Sequence, residues 1–145
     1  MKYVAIVAAM AALVQPDVSH ARTPEQVAEA ALRAAPVFDG HNDVPYALRE
    51  RYGNVIAGFD FTDSTKARPA ADGVVGMHTD IPRLRKGKVG AQFWSVYVDA
   101  DLPEPQAVVA VLEQIDVAKR LLARHPETFT FVTTADGAAA AMRRG

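Results

Sequence analysis

A chain of 145 residues, half hydrophobic and 23% charged, is long enough for one domain with a real core and too apolar for a disordered chain. The net charge of −1 argues against a nucleic-acid partner, because such proteins carry a basic face; the cluster Arg83, Arg85, Lys86 and Lys88 reads as a solvated loop. The absence of cysteine removes disulfides, thiolate metal sites, cysteine nucleophiles and lipid attachment at cysteine. At the start, Lys2 precedes an apolar run from Tyr3 to Val14, and Ser19-His20-Ala21 places small residues where a signal peptidase cuts. Residues 1–21 are therefore expected to be a secretory leader, which makes the mature chain secreted or periplasmic. The run is too short to span a bilayer comfortably, which takes about 20 residues. The remaining residues, 22–145, are read as one domain.

Thr23-Pro24-Glu25-Gln26 is a helix start, with a threonine cap, proline in the first turn and a glutamine able to reach back. Val27, Ala30, Ala31 and Ala34 continue it at helical spacing until Pro36. Pro36 to Gly40 then reads as a short buried strand that feeds a loop at His41-Asn42-Asp43. A short helix is expected from Val44 to Arg51, a loop without period over residues 52–76, and a turn or short helix from Thr79 to Leu84. Val89 to Val98 is the strongest strand, aromatic and β-branched. A long amphipathic helix follows Pro103, with Val108, Val111, Leu112, Ile115, Ala118 and Leu122 on one face. Pro126 ends it, Phe129 to Val132 is expected as a third strand, and Thr134 caps a last helix through Met142. This alternation predicts an α/β fold with a mainly parallel sheet.

Chemistry concentrates at Asp39-Gly40-His41-Asn42-Asp43. Side chains two apart at a strand end point the same way, so His41 and Asp43 project together, and an imidazole nitrogen with a carboxylate oxygen suits zinc. Taken alone, His-x-Asp is also what an ordinary loop with satisfied polar groups contains. Tyr46 follows closely enough to line a substrate pocket. Trp94 and Tyr97 read as core, Asp99 and Asp101 as a turn, His78 and His125 as loop and helix-end residues, and Ser95 lacks a partner base.

Phe38-Asp39-Gly40-His41-Asn42-Asp43-Val44-Pro45 resembles the first-strand motif of the membrane (renal) dipeptidase family of zinc peptidases, peptidase family M19. His78 to Leu84, Val89 to Tyr97, Leu112 to Asp116 and Pro126 to Phe129 continue the resemblance in order, over nearly the whole of residues 37–145. The resemblance implies a (β/α)8 TIM barrel of the metal-dependent hydrolase type, of which this chain is an incomplete amino-terminal portion. It also implies two zinc ions, with His41 and Asp43 as ligands of the first. The bridging glutamate and two histidines for the second zinc are expected downstream of residue 145, as are other groups that grip the substrate. The implied reaction is hydrolysis of a dipeptide's peptide bond by metal-bound hydroxide, and the resemblance allows a homodimer of the full-length protein. The fragment by itself is expected to be inactive. The competing readings are a non-catalytic truncated homologue and a related metal-dependent amide or lactam hydrolase.

Overall fold

The computed structural model describes residues 21–144; all of the expected leader except Ala21 lies outside them. Helix α1 (Pro24–Ala34) begins on the capping box read from the sequence: Gln26 N–H donates to Thr23 Oγ1 (3.3 Å) and Thr23 N–H to Gln26 Oε1 (2.9 Å). Strand β1 (Val37–Asn42) runs directly into α2 (Val44–Tyr52), which stops at Gly53 in the left-handed conformation with φ 55°. Two single 3-10 turns, Ile56–Gly58 and Ser64–Lys66, interrupt the segment that follows. Next come α3 (Ile81–Lys86), β2 (Val89–Trp94), α4 (Glu104–Arg124) and α5 (Ala135–Arg144). β1 and β2 pair in parallel, Val37 opposite Val89, Asp39 opposite Gln92 and Asn42 opposite Trp94, with two register shifts. The result is a mixed α/β unit with a small parallel sheet among the described residues. No helix among them is long and apolar enough to cross a membrane.

Four expectations need correction. The strand expected to be buried, β1, is largely exposed, Val37 and Phe38 included, because β2 is its one strand neighbour among the described residues. Residues 129–132 form no strand: Phe129 instead stacks on Phe61 with ring centroids 5.7 Å apart, while Phe131 is exposed. Alternating apolar residues become a strand only beside a partner that accepts their ladder bonds, and none flanks this segment among the described residues. β2 ends at Trp94, not Val98. Ser95 N–H still donates to Asn42 O (2.9 Å), but β1 ends there and the chain turns away. The buried face of α4 is also a different one. Ala110, Gln114, Val117 and Leu121 are buried, whereas Val108 and Leu112 of the more apolar stripe are exposed. The inner face is chosen by contact with α2, where Arg49 pairs with Glu113, and Arg120 and Arg124 donate to the Asn54 and Ile56 carbonyls.

The core lies between α2, α4 and the irregular segment linking α2 to α3. It contains Val44, Leu48, Tyr52, Phe59, Phe61, Met77, Ile81, Val117 and Leu121. Phe61 is its hub, meeting the rings of Phe59, Trp94, Phe129 and His125 at centroid distances of 5.5 to 6.3 Å. Full burial of one such side chain contributes about 1.5–3 kcal/mol. The linking segment is held by polar groups instead of a ladder. Arg51 donates to the Arg68 and Gly76 carbonyls (3.0 and 2.6 Å), and buried Ser64 donates to Thr79 O (2.7 Å) and accepts from Arg83 (2.8 Å). Gly76, at φ 80°, is required there, since a Cβ would lie 2.6 Å from Thr65 O. Asp80 caps α3 and bonds the Arg83 guanidinium, which holds its carboxyl below the usual carboxylate range.

Candidate metal centre

β1 delivers His41 near its carboxyl end, and Asp43 stands one residue beyond the strand as the N-cap of α2. The two side chains meet: His41 Nε2 lies 3.1 Å from Asp43 Oδ1. Both are open to solvent, with side-chain exposures of 66% and 52%. Asp43 does not spend its carboxylate on capping α2, since it makes no side-chain cap hydrogen bond. Its oxygens therefore remain available to a ligand.

Because neither side chain is held by packing, backbone anchors set their positions. Each ligand candidate follows an Asx-type turn. His41 N–H donates to Asp39 Oδ1 (3.1 Å), and Val44 N–H donates to Asn42 Oδ1 (3.2 Å). Asn42 is tied further by its Nδ2, which donates to Thr79 Oγ1 (2.9 Å). Asp39 is tied across the sheet by Gln92 Nε2 (2.7 Å), and Gln92 Oε1 accepts from Trp94 Nε1 (3.1 Å). The His41 N–H and the Gln92 amide hold the Asp39 carboxyl below its ordinary range, so it stays an acceptor.

Two tyrosines stand beside the pair. The Tyr46 ring, in the first turn of α2, meets Tyr97 edge-on with centroids 5.3 Å apart. Burial, then the charges of Glu50, Asp99 and Asp43, push the Tyr46 hydroxyl above the usual phenol value. The Tyr97 hydroxyl, which donates to Asp99 Oδ1 (3.1 Å), is pushed up by that bond and by the same carboxylate's charge. Both therefore stay neutral hydrogen-bonding groups at neutral pH. Beneath them, wholly buried Gln114 donates from Nε2 to Tyr97 O (2.5 Å), while its Oε1 has no partner among the described residues.

The arrangement joins the sequence-predicted His41, Asp43 and Tyr46. It also recruits Tyr97, which reads as core in the sequence but is exposed here, and Asp99. Asp39, Gln92 and Gln114 carry no recognisable metal or substrate spacing. Only the parallel pairing of Asp39 with Gln92 and the seat of α4 under Tyr97 reveal them. His78 is exposed in a loop, and His125 ends α4 against Phe61.

The pair fits a zinc ion by donor chemistry. Zinc bonds nitrogen and oxygen ligands at about 2.0–2.2 Å, so tetrahedral neighbours stand roughly 3.3 Å apart, close to the observed 3.1 Å. It is incomplete as a site. Among the described residues no three histidine, aspartate or glutamate side chains gather to hold a metal, and a closed tetrahedral cage needs four ligands.

The family model for membrane dipeptidase, peptidase family M19, matches residues 25–145. The chain is 40% identical over 119 residues to dipeptidase 3 of Mus musculus and likewise to dipeptidase 3 of Rattus norvegicus, in each case over 82% of this chain and 22% of the relative. It is 39% identical over 110 residues to dipeptidase 3 of Macaca fascicularis, over 76% of this chain and 20% of the relative. The chain thus spans about a fifth of the length of the curated relatives it matches. With five-sixths of its residues inside the family match and its His-x-Asp pair assembled at the end of β1, this chain belongs to the membrane dipeptidase family, peptidase family M19.

Proposed function

We propose that this chain is the amino-terminal portion of a zinc-dependent dipeptidase and contributes two ligands, His41 and Asp43, to its metal centre. The observation that carries the reading is the 3.1 Å approach of His41 Nε2 to Asp43 Oδ1 at the carboxyl end of a parallel strand, the edge at which barrel enzymes build their sites. A (β/α)8 barrel completed by residues after 145 supplies the rest: a bridging glutamate and two histidines. Residues 1–21 act as a secretory leader that places the enzyme outside the cytoplasm.

Bound zinc supplies Lewis acidity, polarising a carbonyl and lowering the pKa of water toward neutrality. The residues of this chain prepare the ground for that chemistry. His41 presents Nε2 as a nitrogen ligand, and Asp43 adds a carboxylate oxygen beside it. Asp39 and Asn42 fix the peptide units on which these ligands ride. Tyr46 and Tyr97 make one wall, apolar across their rings and hydrogen-bonding at their hydroxyls, against which a small peptide lies. The size of the substrate, a dipeptide, follows from the relatives' names.

The test is hydrolysis of a panel of dipeptides by the full-length protein, before and after chelation and again after zinc is restored. Cleavage that disappears with chelation and returns with zinc is expected. Cleavage indifferent to chelation, or absent across the panel, overturns the reading.

A further inference from the structure

The exposed His41 imidazole meets Asp43 at 3.1 Å, and the peptide that carries it must be held for that approach to persist. Beside the ladder to β2, the His41 N–H donates to Asp39 Oδ1 (3.1 Å). The residue between them, Gly40, has no side chain to pack, and the register of β1 on β2 shifts between Asp39 and Asn42, so the ladder does not run evenly past the His41 peptide. Asp39 is held in turn. Its second oxygen accepts from Gln92 Nε2 (2.7 Å), and Gln92 Oε1 accepts from Trp94 Nε1 (3.1 Å). Trp94 is wedged into the core against Phe61 and Phe129, with centroids at 6.0 and 5.7 Å.

Both ends of the Gln92 amide are used, and each Asp39 oxygen has a separate donor. An amide at Gln92 can satisfy a carboxylate on one side and an indole N–H on the other; a carboxylate or an apolar side chain there cannot do both. We propose that Trp94, Gln92 and Asp39 form a positioning relay that carries the rigidity of the aromatic core to the His41 peptide and thereby tunes metal affinity at His41 and Asp43. This rests on the metal reading above. Its own content is the dependence of that site on a glutamine one strand away.

Gln92→Met keeps the side chain's length while removing both bonds, and Trp94→Phe keeps a ring in the core while removing one donor. The full-length protein and both variants are titrated with zinc against a competing chelator, and the apoproteins are followed by hydrogen exchange in the peptide covering residues 37–44. Loss of a direct outer hydrogen-bond partner of a metal ligand typically weakens binding about 10–100-fold; Gln92 acts through Asp39, so a loss of up to about tenfold is expected for Gln92→Met. Trp94→Phe should lose less, and cobalt(II) bound in place of zinc should show an altered visible spectrum in Gln92→Met. Faster exchange over residues 37–44 should accompany Gln92→Met, exceeding any change in the peptides of α4. Zinc affinity and exchange within about twofold of wild type in Gln92→Met overturn the relay. Failure of the wild-type protein to bind any divalent cation overturns the metal reading instead, and the exchange measurement still decides whether the relay fixes His41.

Discussion

The segment from Gly53 to Asp80 has almost no repeating structure, yet Phe59, Phe61, Ser64, Ala67, Met77 and Asp80 within it are buried. The β1–β2 pair is a repeating ladder apart from its register shifts, yet Phe38 and Phe93 lie tilted against each other at 5.4 Å and remain 49% and 65% exposed. Regularity and burial part company here for a physical reason. A strand satisfies its backbone only through neighbours and buries its faces only under other elements; among the described residues β1 and β2 have no third strand, and α3 and α5 cover β2 only in part. The linking segment finds its partners without a ladder: Arg51 and Arg83 from the flanking helices, with its own Ser64 and Asp80, take up its carbonyls and amides. That frees its aromatic side chains to fill the core.

The comparison breaks first at Phe61. Phe61→Ala should destabilise the chain by about 3–5 kcal/mol, read as a fall in the urea midpoint; a loss below about 1 kcal/mol means the segment is not the core. Ser64→Ala removes a hydroxyl that serves both Thr79 O and Arg83, and should cost about 1–3 kcal/mol by the same measurement.

The effect of acid is smaller. Arg83 keeps the Asp80 carboxyl below its unfolded value, so the stability this pair contributes is complete above the ordinary carboxylate range. It is lost as pH falls from the ordinary carboxylate range through the depressed folded value. Asp80→Asn should flatten that part of the stability profile, and an unchanged profile sinks the assignment. The smallest effect belongs to the exposed sheet face. Phe93→Thr should change the stability of this chain by less than about 0.5 kcal/mol while lowering its tendency to self-associate in sedimentation. In the longer protein proposed above, where further elements cover that face, the same substitution should become strongly destabilising.

The sequence made legible whatever is set by neighbours along the chain. The Thr23–Gln26 box, the end of α2 at Gly53 and the closeness of His41 to Asp43 all follow from residues within a few positions of one another. What escaped was set across the fold. The stripe of Val108, Leu112 and Ile115 is the more apolar face of α4, but α2 and the Tyr97 carbonyl select the face with Ala110 and Gln114. Phe129 and Phe131 alternate like a strand, but Phe61 captures the first ring and no strand edge meets the second. At the site, the ligand pair was readable as a motif, whereas Asp39 and Gln92 became partners only through the register of β1 on β2.

The most direct test of the account is the metal content of the full-length protein when His41 and Asp43 are both replaced by alanine. Wild type should carry two zinc ions per chain, as a two-metal hydrolase requires, and the double variant should retain about one while keeping its far-ultraviolet circular dichroism. A double variant that still holds the full complement would contradict the assignment of these two residues to the metal centre.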